Sequence, residues 1–229
     1  MKYQKTLPLI LIIIFTSCKQ EKNLKINSET NRIDIELKEK LENILVRDQG
    51  IREIVSGNLT TKRETELLFE LKLKKTDIKG DKKFDLMREI DSLNLIEVEN
   101  IIKKYGYPSK SLVGEPANKA VFYVIQHSDK IDKYLPLIRT AAKKGDITKT
   151  SLALMEDRNL MRKGKEQIYG TQLKGKANKK GEWIYFLWPI KDIDSVDIWR
   201  KEAGFKQSLK EYLKKMDVEF KLYDISEFR

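Results

Sequence analysis

The 229-residue sequence contains only one cysteine and one histidine. These two scarcities exclude an internal disulfide and a zinc site of the usual kind, which needs several Cys and His ligands. The sequence also lacks a Gly-x-Ser-x-Gly nucleophile elbow and a Gly-x-x-x-x-Gly-Lys phosphate loop. The sequence therefore predicts neither a metal nor a cofactor.

Long runs of one charge are also missing. The formal net charge is +11, from 46 basic and 35 acidic residues, and 35% of the chain is charged. The lysines are spread along the chain among Glu and Asp, and no run of five or six like charges occurs. This pattern indicates solvated helix faces rather than a nucleic-acid footprint, so no nucleic-acid partner is expected.

The first residues have the pattern of a secretory leader. Lys2 and Lys5 precede an apolar run from Leu7 to Phe15, which is too short to span a bilayer. Small residues then lead to Cys18, an arrangement that resembles the bacterial lipobox. We expect a signal peptide over residues 1–17 and acylation of Cys18, with an ordinary secreted protein as the alternative.

Acylation of Cys18 would make the lipid bilayer a partner of the chain. The expected location is the bacterial cell envelope, either at the periplasmic face or at the cell surface. Residues 18–32 are polar and without periodicity, which is typical of a flexible tether. Removing Lys2 and Lys5 with the leader leaves 44 basic against 35 acidic residues, a net charge of about +9.

The remaining residues, 33–229, are predicted to form a single, mainly α domain with a small β-hairpin in its C-terminal half. Apolar residues recur at helical spacing, and Gly or Pro ends most of the segments. The hairpin is expected near 167–190, with strands over Gln167–Leu173 and Trp183–Leu187, and it must pack on the helices. Helices are predicted over 33–56, 60–75, 81–105, 114–128, 134–144, 148–163, 195–203 and 208–216.

Polar residues occupy positions that the helical period assigns to the core. Asp48 and Arg52 fall in the middle of the apolar face of the first helix and are four residues apart, so they can pair. Asn94 lies inside the apolar stripe of the third helix, with Asp91 at its margin. Such residues are either a buried structural pair or the wall of a polar cavity, and the sequence leaves both open.

The single histidine, His127, lies at the end of a helix that is apolar nearly all round. Such a helix is expected at the centre of the domain. Gln126 and Asp129 flank the histidine but point to different sides of a straight helix. They therefore cannot all line one pocket from that helix alone.

Several separated motifs together resemble a bacterial family catalogued as domain of unknown function 6624. The resemblance covers about Leu41 to Tyr212 and implies a shared fold and a shared site, but no known reaction. The motifs are Asp48-Gln49-x-x-Arg52, Tyr105-Gly106-Tyr107-Pro108, Val113-Gly114-x-x-Ala117, Gln126-His127-x-Asp129, Asp157-Arg158, Gln167-x-Tyr169-Gly170-Thr171-Gln172 and Trp188-Pro189-Ile190.

His127 is the only imidazole available as a proton acceptor near neutral pH. In the catalytic hypothesis His127 is a general base, Asp48 or Asp157 orients it, and Arg52 or Arg158 holds an anionic group. In the structural alternative, His127 hydrogen-bonds a helix end, while Asp157 and Arg158 position the hairpin. The predicted ligand-binding residues are Asp48, Gln49, Arg52, Asn94, Gln126, Asp129, Arg158, Gln167, Tyr169 and Gln172.

Three functions are compatible with the sequence. The leading hypothesis is a lipoprotein with a polar pocket around His127 that binds a small polar or anionic ligand. The second is a metal-independent hydrolase that uses His127 as general base. The third is a protein-interaction module without a pocket.

Overall fold

Nine α-helices and one two-stranded antiparallel sheet form the part of the chain that the computed structural model describes, residues 33–177, 181 and 183–224. These residues belong to one unit, 31–229. The expected signal peptide, Cys18 and the expected tether lie outside the described residues. No helix in the described part has the length and apolar character needed to cross a membrane.

The first seven helices are joined by short loops and two 3₁₀ turns, Lys75–Ile78 and Ala117–Lys119. Two short helices follow the hairpin. The helices are α1 (Ile35–Ser56), α2 (Thr61–Glu70), α3 (Lys82–Tyr105), α4 (Lys110–Val113), α5 (Ala120–His127), α6 (Ile131–Lys143), α7 (Lys149–Arg162), α8 (Val196–Glu202) and α9 (Leu209–Lys215), and the strands are β1 (Leu173–Ala177) and β2 (Trp183–Leu187).

Side-chain caps begin several of these helices. Asp34, Thr60 and Thr148 each accept a hydrogen bond from the third backbone N–H of α1, α2 and α7, respectively. Ser208 forms a capping box with Glu211 at the start of α9. These contacts satisfy backbone donors that a helix start would otherwise leave free.

The short helix α5 lies at the centre of the main core. Val121, Val124 and Ile125 are buried and belong to one apolar cluster with residues of α1, α3, α6 and α7. The prediction of a buried central helix is therefore confirmed. Gln126 and His127, which follow this apolar segment at the end of α5, are consequently held in a fixed position by the packed core.

Two smaller clusters complete the interior. One lies beneath the hairpin and joins Leu187 to Val196 of α8 and Leu209 and Leu213 of α9. The hairpin thus packs on helices, as its length requires. The other joins the C-terminal half of α1 to α2 and α3 through residues that include Ile51, Leu67 and Ile90.

The mainly α fold class with a C-terminal-half hairpin is confirmed, but several predicted elements were wrong in extent; for example, the helix predicted over 134–144 begins at Ile131. The helix over 60–75 ends at Glu70, because Lys72 takes a positive φ of 56°. The helix over 114–128 divides into the turn Ala117–Lys119 and α5. The first strand begins at Leu173 rather than Gln167, and the reason is a buried carboxylate described below.

Candidate functional site

His127 faces Asp48 across the contact between α5 and α1. Its Nδ1 lies 3.1 Å from Asp48 Oδ1, although the two residues are 79 positions apart. Asp48 is 1% exposed, and its second oxygen accepts a 2.6 Å hydrogen bond from Gln49 Nε2. An ionised carboxylate can only accept hydrogen bonds, so Asp48 favours the tautomer with the proton on His127 Nδ1. In that tautomer Nε2 carries the free lone pair and can accept a proton or a hydrogen bond.

Arg52 extends this pair towards α3. Its guanidinium lies 3.3 Å from Asp48 Oδ1, donates to the Asp48 carbonyl oxygen at 2.7 Å, and donates to Asp91 Oδ1 at 2.8 Å. The pairing of Asp48 with Arg52 that their spacing predicted is therefore present. Arg52 is 22% exposed, so this side of the group meets solvent.

Two arginines of α7 approach the same region from the opposite side. Arg158 donates to Gln172 Oε1 at 3.2 Å and to the Gln126 carbonyl oxygen at 3.4 Å. Arg162 donates to the Ser128 carbonyl oxygen and, at 3.4 Å, to that of Gln126. Both cations therefore lie at the C-terminal end of α5, where the helix dipole is negative.

Arg158 has an unusual electrostatic environment. No carboxylate of the described residues lies within ion-pair distance of it, and its side chain is half-buried. Burial lowers the pKa of Arg158, and repulsion from Arg162 and Arg52 lowers it further. A cation that is partly removed from water and flanked by two other cations is poorly compensated by the protein itself.

Asp157 lies next to Arg158 in sequence but does not contact His127. It is fully buried, and it accepts hydrogen bonds from the backbone N–H groups of Ile168 at 2.8 Å, Tyr169 at 3.1 Å and Thr171 at 3.0 Å. The Thr171 hydroxyl donates a further bond of 2.9 Å. Burial raises the pKa of Asp157, and these bonds oppose the shift.

This carboxylate explains why the predicted strand over Gln167–Leu173 was wrong. The backbone donors of residues 168, 169 and 171 point at Asp157 and are unavailable to a strand ladder. Of the two carboxylates proposed to orient His127, the structure places Asp48 beside the ring. Asp157 instead holds a loop that precedes β1.

The two glutamines of this loop have different positions. Gln167 is fully buried, and its amide bonds the Gln172 N–H and carbonyl groups and the Trp188 carbonyl oxygen. Gln172 directs its own side-chain oxygen to Arg158. Only Gln172 therefore reaches the group around His127.

The other predicted site residues are dispersed. Gln126 Nε2 lies 3.4 Å from His127 Nε2, so Gln126 belongs to the group. Asn94 is buried and accepts a 3.0 Å bond from Arg47. Asp129 is exposed and pairs with Lys130. Tyr169 contacts Glu156, through a hydroxyl–carboxylate distance of 3.4 Å.

Sequence reasoning did not identify Arg162 as part of this region. A usable signal was present, because Arg158 and Arg162 are four residues apart and therefore share one face of α7. The helical period places Asp91 only at the margin of the apolar stripe of α3. Its contact with Arg52 makes it the outer anion of the group.

The residues around His127 pack closely and do not enclose a large cavity. His127 lines none of five well-formed cavities among the described residues, and its side chain is 16% exposed. Gln49 borders one of these cavities, of about 390 Å³, and Tyr169 another, of about 450 Å³. Within the described part of the chain, no three His, Cys, Asp or Glu residues are placed to hold a metal ion.

These features define a mainly helical domain with a histidine–aspartate pair and an under-compensated arginine at the meeting of α1, α5 and α7. The chain belongs to the Family of unknown function (DUF6624), whose model matches residues 76–223. The resemblance inferred from the motifs is thus confirmed. The matched residues include His127 and Arg158 but begin after Asp48 and Arg52. No curated protein and no solved structure matches the chain.

Proposed function

We propose that this chain is a lipid-anchored envelope protein that binds a small anionic ligand at the His127 cluster. The cluster comprises seven residues, Asp48, Arg52, Gln126, His127, Arg158, Arg162 and Gln172. The observation that carries the proposal is the half-buried guanidinium of Arg158, which has two cationic neighbours and no carboxylate partner among the described residues.

Charges that are removed from water are normally paired, because desolvation costs several kcal/mol per ion. Arg158 uses two long hydrogen bonds, of 3.2 and 3.4 Å, although a guanidinium offers five donors. The unused donors suit the paired oxygens of a carboxylate or phosphate. Bound there, an anion would also reduce the repulsion between Arg158, Arg162 and Arg52.

The single histidine allows a direct test. We expect inorganic phosphate, added at constant ionic strength, to produce saturable shifts of the His127 ring signals in a ¹⁵N-labelled protein. Arg158→Gln is expected to weaken binding at least tenfold, because it removes a desolvated charge–charge contact.

The matched control is Arg88→Gln, since the Arg88 side chain is 68% exposed and paired with Asp85 on α3. This variant should bind phosphate as the unsubstituted chain does. Ring signals that stay fixed in tens of millimolar phosphate, or equal affinities of the Arg158 and Arg88 variants, would contradict the proposal. A phosphate-insensitive cluster would favour the protein-interaction module, in which these residues are structural.

A metal-independent hydrolase is the second candidate, supported by the contact between His127 Nδ1 and Asp48. An oriented imidazole can take a proton from water through Nε2 while the arginines hold the anionic substrate. If the protein cleaves p-nitrophenyl phosphate, His127→Gln should abolish turnover and leave phosphate affinity within about threefold. Turnover that survives this substitution would rule out the general-base role.

The lipid anchor rests on the leader and on Cys18. When the full chain is expressed in cells fed an alkyne-labelled fatty acid, we expect the protein to become labelled. In detergent phase partitioning, the labelled protein should enter the detergent phase. Cys18→Ser should remove both properties, since a thiol is required for diacylglycerol transfer. Persistent labelling of the serine variant would place the lipid elsewhere or contradict lipidation at Cys18.

A further inference from the structure

Helix α7 carries residues of a second candidate site on the face opposite the His127 cluster. At 100° per residue, Arg158 and Arg162 lie on one face, whereas Lys149, Ala153 and Glu156 lie on the other. The second face borders a cleft between α6, α7, α8 and the loop that Asp157 holds. The cleft is therefore separate from the proposed anion site.

The cleft has the size and lining of a small-molecule site. Its volume is about 450 Å³, within the usual range for ligand pockets. Much of its surface comes from apolar groups, and two aromatic rings contribute planar area. The apolar and aromatic lining residues are Ala142, Leu152, Ala153, Ile168, Tyr169, Trp199 and Ala203.

The rim of the cleft is positively charged. Lys143, Lys149 and Lys191 line it, and none has an ion-pair partner within the described ranges. Of the two carboxylates that also line the cleft, Glu156 is already paired with Arg139 at 2.8 Å. Glu202 is then the one lining carboxylate without an ion pair among the described residues, and three lysines lie on the same lining.

Tyr169 is held in place at the cleft wall. Its backbone N–H donates to Asp157, and its ring lies 6.5 Å from that of Phe205. Burial and the nearby Glu156 raise the pKa of Tyr169 to about 12. The hydroxyl already donates to Glu156 Oε2 at 3.4 Å, so what Tyr169 offers to a ligand in the cleft is the apolar surface of its ring.

We propose that this cleft binds a small organic anion with a planar apolar body, such as an aromatic carboxylate. The apolar body would pack against Trp199 and Tyr169, and the acidic group would lie near Lys149 and Lys191. The apolar lining supplies most of the affinity, and the three lysines of the rim select a negative charge. This site does not depend on the His127 cluster.

The three tryptophans provide an internal comparison for testing the cleft. Each gives one indole N–H signal in an ¹⁵N correlation spectrum, and Trp→Phe variants assign them. We expect 2-naphthoate to shift the Trp199 signal saturably. Trp183, on the hairpin, and Trp188, whose indole donates to the Lys165 carbonyl oxygen, should move little.

Charge selectivity is tested with the neutral analogue 2-naphthalenemethanol and with Lys149→Gln/Lys191→Gln. We expect each change to weaken binding about fivefold, the effect of one or two exposed charges. Lys214→Gln/Lys215→Gln on α9 is the matched control and should retain the affinity. Equal binding of the neutral analogue, or of the rim variant, would overturn the proposal.

Occupancy of the cleft is tested with Ala142→Leu, which fills it from a half-buried position on α6. This variant should lose the naphthoate-dependent shift of Trp199 while keeping a native spectrum elsewhere. Ala153→Leu offers a second filling variant on α7. A folded filling variant that binds 2-naphthoate normally, or a Trp199 signal that millimolar 2-naphthoate does not move, would contradict the site.

Discussion

At the residue scale, two of the buried aspartates, Asp48 and Asp157, have different neighbours. Asp48 contacts His127, Gln49 and Arg52 and so lies within the proposed anion site. Among the described residues, Asp157 accepts hydrogen bonds from the loop alone, and it stabilises the conformation of that loop. Replacing either aspartate should therefore lower the stability of the domain, but only replacement of Asp48 removes a partner of the histidine ring.

Replacing Asp48 by Asn should lower the free energy of unfolding by about 3 kcal/mol, because it removes one member of a buried ionic network. Urea titration at neutral pH measures the change. Asp91→Asn is the matched control, since Asp91 pairs with the same arginine but is 26% exposed. Its expected cost is below about 1 kcal/mol. Equal losses for the two variants would show that burial of Asp48 is not the deciding factor.

Replacing Asp157 by Asn should also cost about 3 kcal/mol, because an amide group would face backbone N–H donors that now point at a carboxylate. The loop amides of Ile168, Tyr169 and Thr171 should exchange with solvent faster in the variant. Asp132→Asn serves as the control, because the Asp132 side chain is 66% exposed, and should leave stability nearly unchanged. Unaltered exchange of the three amides would refute the loop-holding role.

At the element scale, the segment before β1 has the composition of a strand but the conformation of a loop. Gly170 contributes to this through a positive φ of 66°. A Cβ atom at this position would lie 2.6 Å from Leu209 Cδ1 and 3.2 Å from Ile190 Cδ1. Position 170 therefore needs glycine for two reasons. The backbone has a positive φ there, and a larger side chain would collide with Leu209 of α9.

Gly170→Ala and Gly164→Ala separate these two requirements. Both positions have positive φ, but nothing lies within 4 Å of a Cβ at Gly164. We expect a loss of about 1 kcal/mol for Gly164→Ala from the backbone alone. Gly170→Ala should cost about 1 kcal/mol more, because Leu209 must repack. Thermal or urea unfolding gives both values, and an equal cost would show that the close approach to α9 is unimportant.

At the scale of the whole molecule, α7 connects the sites. One face contributes Arg158 and Arg162 to the His127 cluster, and the other borders the lysine-rimmed cleft. The helix packs in the main core through Met155. Because the helix is rigid, both surfaces keep fixed positions relative to the core.

An anion that binds only the folded chain should stabilise the whole domain. At phosphate concentrations 100-fold above Kd, linkage predicts about 2.7 kcal/mol, which raises Tm by roughly 5–10 °C for a domain of this size. Arg158→Gln should lose this increase, whereas Arg88→Gln should keep it. Thermal unfolding in phosphate and in chloride of equal ionic strength measures the difference. An equal rise of Tm in phosphate and in chloride would show that the stabilisation comes from general ion effects rather than from anion binding at the site.

Much of the fold follows from local patterns in the sequence. The apolar periods of α1, α3 and α7 and the all-apolar character of α5 indicate the helices and the central one among them, because burial selects these patterns. The same periods reveal Asp48, Arg52 and Asn94 as polar residues at core positions. The ends of helices and strands are harder to predict from the sequence, as α2 and the segment before β1 show. A single backbone conformation ends α2, and a carboxylate distant in sequence determines where β1 begins.

The sequence by itself therefore determined the fold class, the single histidine and the set of polar residues placed where apolar ones belong. Only the tertiary structure decided their partners. Asp48 contacts His127 although 79 positions separate them, while Asp157 contacts a loop, and Arg158 has no carboxylate partner among the residues that the structure describes. Pairing depends on which atoms meet when helices pack, and desolvation acts on that three-dimensional arrangement rather than on residue order.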